Sequence, residues 1–278
     1  MHTATSHFVV NCSILFDDLP LLQRPHAARE AGFEAVEFWW PFSDPVPRDT
    51  AVDAFVRAVT DAGVHLTALN FAGGDMAAGE RGLLSDPAQR QIFRDNVDVA
   101  IGIANQLGTK AFNALYGNRR DGLDPHIQDE VAVDNLAHAG RLAHGLDAAI
   151  LIEPLSGVPG YPLLTAADAI AVIDRVSNET GVAALRLLAD LYHLHVNGDD
   201  VAAVIDHYVD RIGHVQIADA PGRGAPGTGG MNIAGHLAHL GIRGYRGNVS
   251  LEYRAGGTDP FGWLPPAQRR ASPWTSPG

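Results

Sequence analysis

The stretch from residue 149 to residue 192 decides the fold, because it contains AILIEP at 149–154, TAADAIAVIDRV at 165–176 and LRLLADLY at 185–192. The two outer segments are short and apolar, as buried strands are. The middle segment is amphipathic, and Thr165 followed by Asp168 at the third helical position resembles a capping box. A strand, a helix and a second strand in this order predict one parallel βαβ unit.

The same alternation extends over the whole chain of 278 residues. Eight strand–helix units give about 35 residues each, close to the size of one βαβ repeat. This count predicts a single-domain (β/α)8 TIM barrel, an α/β fold that typically takes about 250 residues. The eight predicted strands are Phe8–Ser13, Ala35–Trp40, His65–Phe71, Lys110–Gly117, Ala149–Pro154, Leu185–Tyr192, Ile212–Ala220 and Asn248–Tyr253.

Helical signals separate these strands. Residues Asp86–Leu107 carry apolar side chains at a helical period. Glycines follow several helical patterns, where a C-terminal residue in the left-handed conformation is useful. These glycines are Gly32, Gly63, Gly108 and Gly241.

An open, doubly wound sheet is the alternative fold. It needs a glycine-rich turn directly after the first strand, but CSILF at 12–16 follows that strand without a glycine. The barrel is therefore favoured over residues 1–263. Residues 264–278 form a C-terminal extension, either on the surface or disordered, in which Trp274 is a candidate docking side chain.

Composition limits the classes of partner. The chain has 32 acidic and 20 basic residues and a formal charge of −12, which argues against nucleic-acid binding. No apolar run approaches the length of a membrane span, and no secretory signal pattern opens the chain. The single cysteine, Cys12, cannot form an internal disulfide, which fits a reducing compartment. We expect a cytoplasmic protein.

Polar residues at the ends of the last four predicted strands carry the chemistry. Glu153, Asp190, Gln216 and Glu252 are separated by 37, 26 and 36 residues, about one βα unit each. In this fold the C-terminal strand ends form the active site, so the four side chains are expected to converge. Three carboxylates at one point repel each other, and a divalent cation such as Mg²⁺ or Mn²⁺ relieves the repulsion. The alternative is that each carboxylate is a separate surface or capping group.

Two further side chains are candidate substrate contacts. His193 stands beside Asp190 at a strand end. Arg223 lies in PGRGAPGTGG at 221–230, a segment interpreted as a flexible active-site loop. An arginine there can hold a substrate carboxylate. A nucleotide-binding loop is the alternative, but the spacing matches neither common phosphate-binding motif.

A second glycine-punctuated loop, GGDMAAGERG at 73–82, follows the third strand and is suited to a lid. Asn70 before it and Glu80 within it are further candidate substrate contacts. Trp39 ends the second strand and is a candidate apolar wall, with core packing as the alternative. Asn11 is a weaker candidate for the floor of the pocket, and His214 shares a strand face with the proposed ligand Gln216.

These segments resemble the hydroxypyruvate isomerase family of the xylose-isomerase-like barrels over residues 8–254. The matching motifs are VNCSILF, GFEAVEFWWPF, GGDMAAGERG, LIEP, DLYH, GHVQIADAPGRG, APGTGG and LEY. The resemblance implies a metal-dependent aldose–ketose isomerase acting on a small hydroxy or oxo acid. It places the metal ligands on the four strand-end residues given above, the acid–base pair on Glu153 and Glu252, and the substrate contacts on His193 and Arg223.

The chain departs from the family at three positions. Ala225 and Gly230 stand where the family usually has glutamate, and His195 stands where it usually has glutamine. The metal and acid–base set is intact, whereas the loop at the substrate end differs. The expected reaction is therefore hydroxypyruvate to tartronate semialdehyde, with isomerisation of a four-carbon 2-oxo-tetronate as a competitor.

Three other functions remain open. A sugar epimerase uses the same two glutamates and the same kind of enediolate. A metal-dependent endonuclease needs additional histidine ligands and a basic surface, which the charge of −12 disfavours. A non-catalytic sugar-acid binder is compatible with the altered loop. Barrel isomerases of this kind are often homo-oligomers, although no stretch of the sequence indicates an interface.

Overall fold

The computed structural model describes residues 7–257 and 259–274 and contains a closed barrel of parallel strands. Neighbouring strands follow chain order from β1 to β8, and β8 pairs with β1 to close the barrel. The predicted (β/α)8 fold is confirmed. The strands are β1 Phe8–Asn11, β2 Ala35–Phe38, β3 His65–Asn70, β4 Ala111–Asn113, β5 Ala149–Ile152, β6 Leu185–Asp190, β7 Ile212–Ile217 and β8 Val249–Leu251.

Each strand is shorter than the apolar run that predicted it and ends one to four residues before the end of that run. After β6, for example, Asp190 Oδ1 accepts hydrogen bonds from the backbone N–H groups of Tyr192 and His193, and a helix begins at once. After β5 and β8 the chain leaves the sheet at Glu153 and Glu252. Apolar composition continues past the hydrogen-bonded ladder, so composition alone overestimated strand length.

The α-helices surround the barrel. Their bounds are α1 Arg24–Glu30, α2 Asp49–Ala62, α3 Arg90–Leu107, α4 Pro125–His144, α5 Ala166–Thr180, α6 Leu191–Val196, α7 Val201–Tyr208, α8 Ile233–Ile242 and α9 Pro266–Arg269.

Local signals explain most helix ends. The capping box predicted at Thr165 and Asp168 is present at the start of α5. Gly63 and Gly108 end α2 and α3 in the left-handed conformation. The prediction at Gly241 is wrong, because this residue lies inside α8. The predicted start of α3 is early, because a 3₁₀ turn over Pro87–Gln89 comes first.

The core lies inside the barrel and between the barrel and the helices. Every residue of β1, β2 and β8 is buried, as expected for parallel strands covered on both faces. Phe38 of β2 and Phe55 of α2 meet edge to face with ring centroids 5.2 Å apart. Burial of each such side chain stabilises the fold by about 1.5–3 kcal/mol, and this packing fixes the strands that carry the polar residues.

Residues 264–274 of the expected C-terminal extension run along the barrel. Arg269 donates to the carbonyl oxygens of Ala31 and Leu264. Trp274 donates from Nε1 to the carbonyl of Gly247 at 2.9 Å and packs edge to face on Tyr245. Residues 275–278 lie outside the described residues. Within the described ranges, the helices are too short or too polar to cross a membrane.

Candidate active site

A cavity of about 1170 Å³ opens at the C-terminal ends of the strands. Its lining includes Glu153, His193, Arg223 and Glu252 of the predicted site. The register of the sheet brings polar side chains to this end, since Asp190 of β6 pairs with Gln216 of β7. The position agrees with the general location of active sites in this fold.

The four predicted ligand residues are all buried, with at most 4% of each residue exposed. Ligand atoms of Glu153, Asp190 and His193 lie within 4.8 Å of one another. Arg223 links the next carboxylate to this group, because its Nη2 lies 3.2 Å from Asp190 Oδ2 and 3.3 Å from Glu252 Oε1. The structure therefore brings together the three carboxylates that the spacing predicted.

The electrostatics of the cluster are those of crowded, desolvated acids. Burial and, after it, the charge of Asp190 raise the pKa of Glu153 to about 8, although the hydrogen bond from Asn113 acts in the opposite direction. Burial also raises the pKa of Glu252 well above its usual range, and Arg223 partly offsets this shift. Such a cluster holds its charged form poorly unless further positive charge is present.

The donor set fits a hard divalent cation. Gln216 Oε1 and Glu252 Oε2 are buried oxygen acceptors without a hydrogen-bond partner in the described part of the chain. A buried acceptor without a partner is costly, and a cation removes this cost. Carboxylate and amide oxygens are ligands typical of Mg²⁺ and Mn²⁺.

His193 is held as a hydrogen-bond donor toward the site. The backbone N–H of Ser156 donates to His193 Nδ1 at 3.0 Å. Nδ1 must then carry the lone pair, so the proton of the neutral ring lies on Nε2. Burial lowers the pKa of His193 to about 4, which keeps the ring neutral. A protonated Nε2 has no lone pair for a metal, so His193 suits substrate contact better than ligation.

The guanidinium of Arg223 contacts the protein's own carboxylates, whereas the sequence predicted that it would bind a substrate carboxylate. Its backbone has φ +58°, in the left-handed region, and its Nε donates to the carbonyl of Glu252 at 3.2 Å. Together with the contacts to Asp190 and Glu252, this engages two of its three nitrogens. Within the described residues, Nη1 makes no hydrogen bond or ion pair.

The loop at 221–230 that carries Arg223 is held by hydrogen bonds to one aspartate, whereas the sequence predicts a flexible segment. Asp219 Oδ2 accepts from the backbone N–H groups of Gly227 and Gly229, both at 2.9 Å, and Oδ1 accepts from that of Met231. Burial alone would raise the pKa of Asp219, but these N–H donors lower it. Sequence reasoning missed this role of Asp219, although the residue stands just before the glycine-rich stretch at 221–230.

The loop after β3 brings a different residue to the cavity than the one predicted. Asn70 lines the cavity, as expected. Glu80 is exposed and outside the lining, and its Oε2 accepts from the backbone N–H of Asp75 at 2.7 Å. Arg81 lines the cavity instead, with Nη1 donating to the carbonyl oxygens of Met76 and Glu80.

Residues in or directly after the first four strands donate hydrogen bonds to the carboxylates of the cluster. Asn113 Nδ2 donates to Glu153 Oε2 at 2.6 Å, and Trp39 Nε1 donates to Glu252 Oε1 at 2.7 Å. Trp39 was expected as an apolar wall, so its polar contact is new. Sequence reasoning also missed the part played by Glu37, which is buried in β2. An acidic residue inside the apolar run AVEF was the available signal.

Comparison with known proteins gives one family over nearly the whole chain. A family model described as "Xylose isomerase-like TIM barrel" matches residues 25–273. A putative hydroxypyruvate isomerase of Streptomyces coelicolor is 50% identical, covering 98% of this chain and 100% of that protein. The hydroxypyruvate isomerase of Escherichia coli is 33% identical, covering 93% and 98% of the two chains. A 2-oxo-tetronate isomerase of Cupriavidus necator is 33% identical, covering 93% and 97%.

Among solved structures, an AP endonuclease, family 2, from Brucella melitensis superposes with a TM-score of 0.84. It is 31% identical and the match covers 95% of this chain and 100% of that one. Backbone and sequence therefore agree on the same barrel.

Proposed function

The chain belongs to the hydroxypyruvate isomerase family of the xylose isomerase-like TIM barrels and is an aldose–ketose isomerase, and on that premise we propose its substrate class and mechanism. It interconverts a short 2-oxo or hydroxy acid and its aldehyde isomer, hydroxypyruvate and tartronate semialdehyde being the leading pair. The reaction depends on a divalent cation and passes through an enediolate by proton transfer between two glutamates.

The observation that carries the proposal is the buried cluster of Glu153, Asp190, Gln216 and Glu252, in which Gln216 Oε1 and Glu252 Oε2 have no partner among the described residues. These four residues would hold the cation. When bound, Mg²⁺ or Mn²⁺ supplies neutralising charge and Lewis-acid polarisation of the substrate carbonyl, typically several kcal/mol of transition-state stabilisation.

Glu153 and Glu252 are the proposed acid–base pair. One removes the proton bound to carbon, and the other returns a proton to the neighbouring carbon. Each is oriented through one oxygen, Glu153 by Asn113 and Glu252 by Trp39. Proton transfer by positioned groups of this kind contributes about 10²–10⁴-fold to the rate.

His193 and Arg223 are the proposed substrate contacts on the polar side. The Nε2–H of His193 donates to a hydroxyl or to the oxyanion that develops on the substrate. Arg223 offers Nη1, while its other nitrogens keep Asp190 and Glu252 in place. Asn70 contacts the substrate from the cavity wall. Glu80, whose Oε2 accepts from the backbone N–H of Asp75, acts on the loop and not directly on the substrate.

Two arginines in the cavity favour an acidic substrate over a neutral sugar. Arg81 and Arg254 both line the cavity, and within the described residues neither pairs with a carboxylate. Asp17 and Asp18 line it as well, and both are exposed, as Arg254 is, so the half-buried Arg81 is the main support for an acidic substrate. Arg81 is half-buried and held at Nη1, so it is a prepared donor for a substrate carboxylate.

The test is turnover by metal-depleted and metal-restored protein. The protein is stripped with a chelator, Mg²⁺ or Mn²⁺ is added back, and hydroxypyruvate is followed by NMR in D₂O. We expect conversion to the aldehyde isomer only after metal is restored. Deuterium in the product indicates that solvent reaches the transferred proton. Conversion at full rate without metal would contradict the proposal.

Isomerisation of a four-carbon 2-oxo-tetronate is the second candidate function. The cavity of about 1170 Å³ has room for more than a three-carbon acid, and the Cupriavidus necator relative bears this activity in its name. The same NMR assay with four-carbon 2-oxo acids separates the two by rate. Retention of the ketone position with inverted configuration would indicate an epimerase.

Phosphodiester hydrolysis is disfavoured despite the name of the Brucella melitensis structure. The metal-capable group in the described residues is a single set of Glu153, Asp190 and His193. The formal charge of −12 also opposes binding to a polyanion.

A further inference from the structure

We propose that Glu37 is a positioning residue that orients the amide of Gln216, so that the oxygen and not the nitrogen of this side chain is presented to the cation. The inference rests on the proposed metal site. It concerns a residue that does not line the cavity.

The orientation of Gln216 follows from the chemistry of its neighbour. Gln216 Nε2 lies 2.9 Å from Glu37 Oε1. A carboxylate accepts hydrogen bonds and does not donate them, so the group of Gln216 that faces it must be the NH₂. The opposite end of the amide, Oε1, is the buried acceptor without a partner described above. With the amide reversed, an oxygen would face Glu37 and an NH₂ would face the cation.

Both carboxylate oxygens of Glu37 have hydrogen-bond partners. Its Oε1 also accepts from Asn11 Nδ2 at 2.9 Å, and its Oε2 lies 2.7 Å from His214 Nε2. Asn11 cannot reverse its own amide without loss, because its Oδ1 accepts from the backbone N–H of Ser13. Burial alone would raise the pKa of Glu37, but the charge and hydrogen bond of His214 lower it. The donors of the network therefore converge on Glu37: Asn11 and Gln216 each direct an NH₂ at its Oε1, and the oxygen of Gln216 is left to face the proposed cation.

Stability alone is a weak reason for this arrangement. Glu37 is 2% exposed and His214 is 3% exposed. A buried ion pair is often no more stabilising than apolar residues of similar volume. Groups that orient metal ligands from behind typically change metal affinity by 10–100-fold when removed. Glu37 has the position of such a group, because it lies in β2, across the barrel from the ligand that it holds.

The test measures Mn²⁺ affinity of the metal-free protein by EPR of the free ion. Wild-type protein should bind one Mn²⁺ per chain. Glu37→Gln removes the obligatory acceptor, since an amide can present either end to Gln216. We expect the dissociation constant to rise by about 10–100-fold, measured at a temperature at which the metal-free variant is folded, because removal of the partner of buried His214 also lowers the melting temperature. Glu34→Gln, three residues upstream and half-buried, is the matched control and should leave the affinity unchanged.

Exchanging the residue types at positions 37 and 216 tests the orientation of the side chain at 216 directly. In the double variant Glu37→Gln with Gln216→Glu, residue 37 can turn its NH₂ toward one carboxylate oxygen of residue 216 and leave the other oxygen for the cation. The same NH₂ then also faces the NH₂ of Asn11, which donates to this position in the wild type. Net charge is the same as in the wild type. Gln216→Glu alone places two carboxylates against each other and weakens binding. We expect the double variant to bind Mn²⁺ more tightly than Gln216→Glu alone but less tightly than the wild type, because the contact of Asn11 is not restored. A role limited to packing would give no such recovery.

The outcomes separate this inference from the proposed function. If the wild type binds no Mn²⁺, the proposed metal site is wrong. If the wild type binds Mn²⁺ and Glu37→Gln binds it equally well, or the double variant binds it no more tightly than Gln216→Glu alone, the role of Glu37 is wrong. Should Glu37→Gln fail to fold, Glu37→Asp keeps the charge and shortens the reach by one methylene. Its affinity should still fall, and wild-type affinity in that variant would overturn the inference.

Discussion

The two halves of the barrel mouth contribute different things to the site. Strands β5–β8 and the residues directly after them supply the proposed ligands and acid–base groups, Glu153, Asp190, Gln216 and Glu252. Strands β2 and β4 and the residue after β2 supply the side chains that hold three of them: Asn113 holds Glu153, Trp39 holds Glu252 and Glu37 holds Gln216. Asn113 and Glu153 come from the neighbouring strands β4 and β5, whereas the other two pairs join distant parts of the chain and meet only when the barrel closes.

The separation has a physical reason. A carboxylate at a strand end can turn in several directions, and a hydrogen bond from another strand end selects one of them. Support from a distant strand also survives movement of the local loop. The expected effects of substitutions therefore differ in kind between the two halves.

The largest effect is expected in the ligand half, at Glu252. Glu252→Gln keeps the size of the side chain and one oxygen for the cation but cannot accept a proton. We expect kcat to fall by about 10²–10⁴-fold, measured with the substrate that the NMR assay identifies. Mn²⁺ binding and the melting temperature of the metal-free protein serve as controls and should be largely retained. Turnover close to that of the wild type would remove Glu252 from the acid–base role.

A smaller effect is expected in the supporting half, at Trp39. Trp39→Phe keeps an aromatic ring but removes the N–H that donates to Glu252 Oε1 at 2.7 Å. A hydrogen bond to a charged group is worth about 1.5–3 kcal/mol, so kcat should fall by at least about ten-fold. Trp40→Phe is the matched control, because Trp40 Nε1 donates to the carbonyl of Asp44 outside the cluster. Equal kcat values for the two variants would break the proposed division between the halves.

Arg81 extends the comparison from catalysis to binding. Arg81→Gln removes a guanidinium that lines the cavity without a carboxylate partner in the described residues. We expect KM for the acidic substrate to rise by about ten-fold with kcat nearly unchanged, since the contact is the same in the ground and transition states. Arg254→Gln, at an exposed cavity arginine, should raise KM less. A fall in kcat at unchanged KM would place Arg81 in the chemical step.

The comparison also explains what the sequence could predict. The barrel followed from alternation, and the ligand half followed from unit spacing, because each ligand ends its own strand. The supporting half did not, because hydrogen-bond partners are 179 positions apart for Glu37 and Gln216 and 213 apart for Trp39 and Glu252. Such pairs depend on the register of closure, which single-strand patterns do not contain. Arg81 was missed for a local reason, since the turn at 73–82 points Glu80 back into the loop.

Asp219 also supports the site, but it holds a loop of its own half of the barrel. Its substitution is expected to change turnover least. Asp219 accepts from the N–H groups of Gly227, Gly229 and Met231, all within 12 positions. Asp219→Asn turns an NH₂ toward one or more of these donors. We expect a loss of about 1–3 kcal/mol in the free energy of unfolding at neutral pH, measured by urea denaturation.

The pH dependence of that loss identifies its cause. The pKa of Asp219 is lowered in the folded state, so its stabilising contribution is present above the pKa of the unfolded chain and is lost as the pH falls through the folded value. The gap between wild type and Asp219→Asn should therefore narrow in acid. Asp200→Asn is the matched control, because asparagine caps a helix as well as aspartate does. A gap that stays constant into acid would mean that the loop is held by its backbone contacts and not by the charge of Asp219.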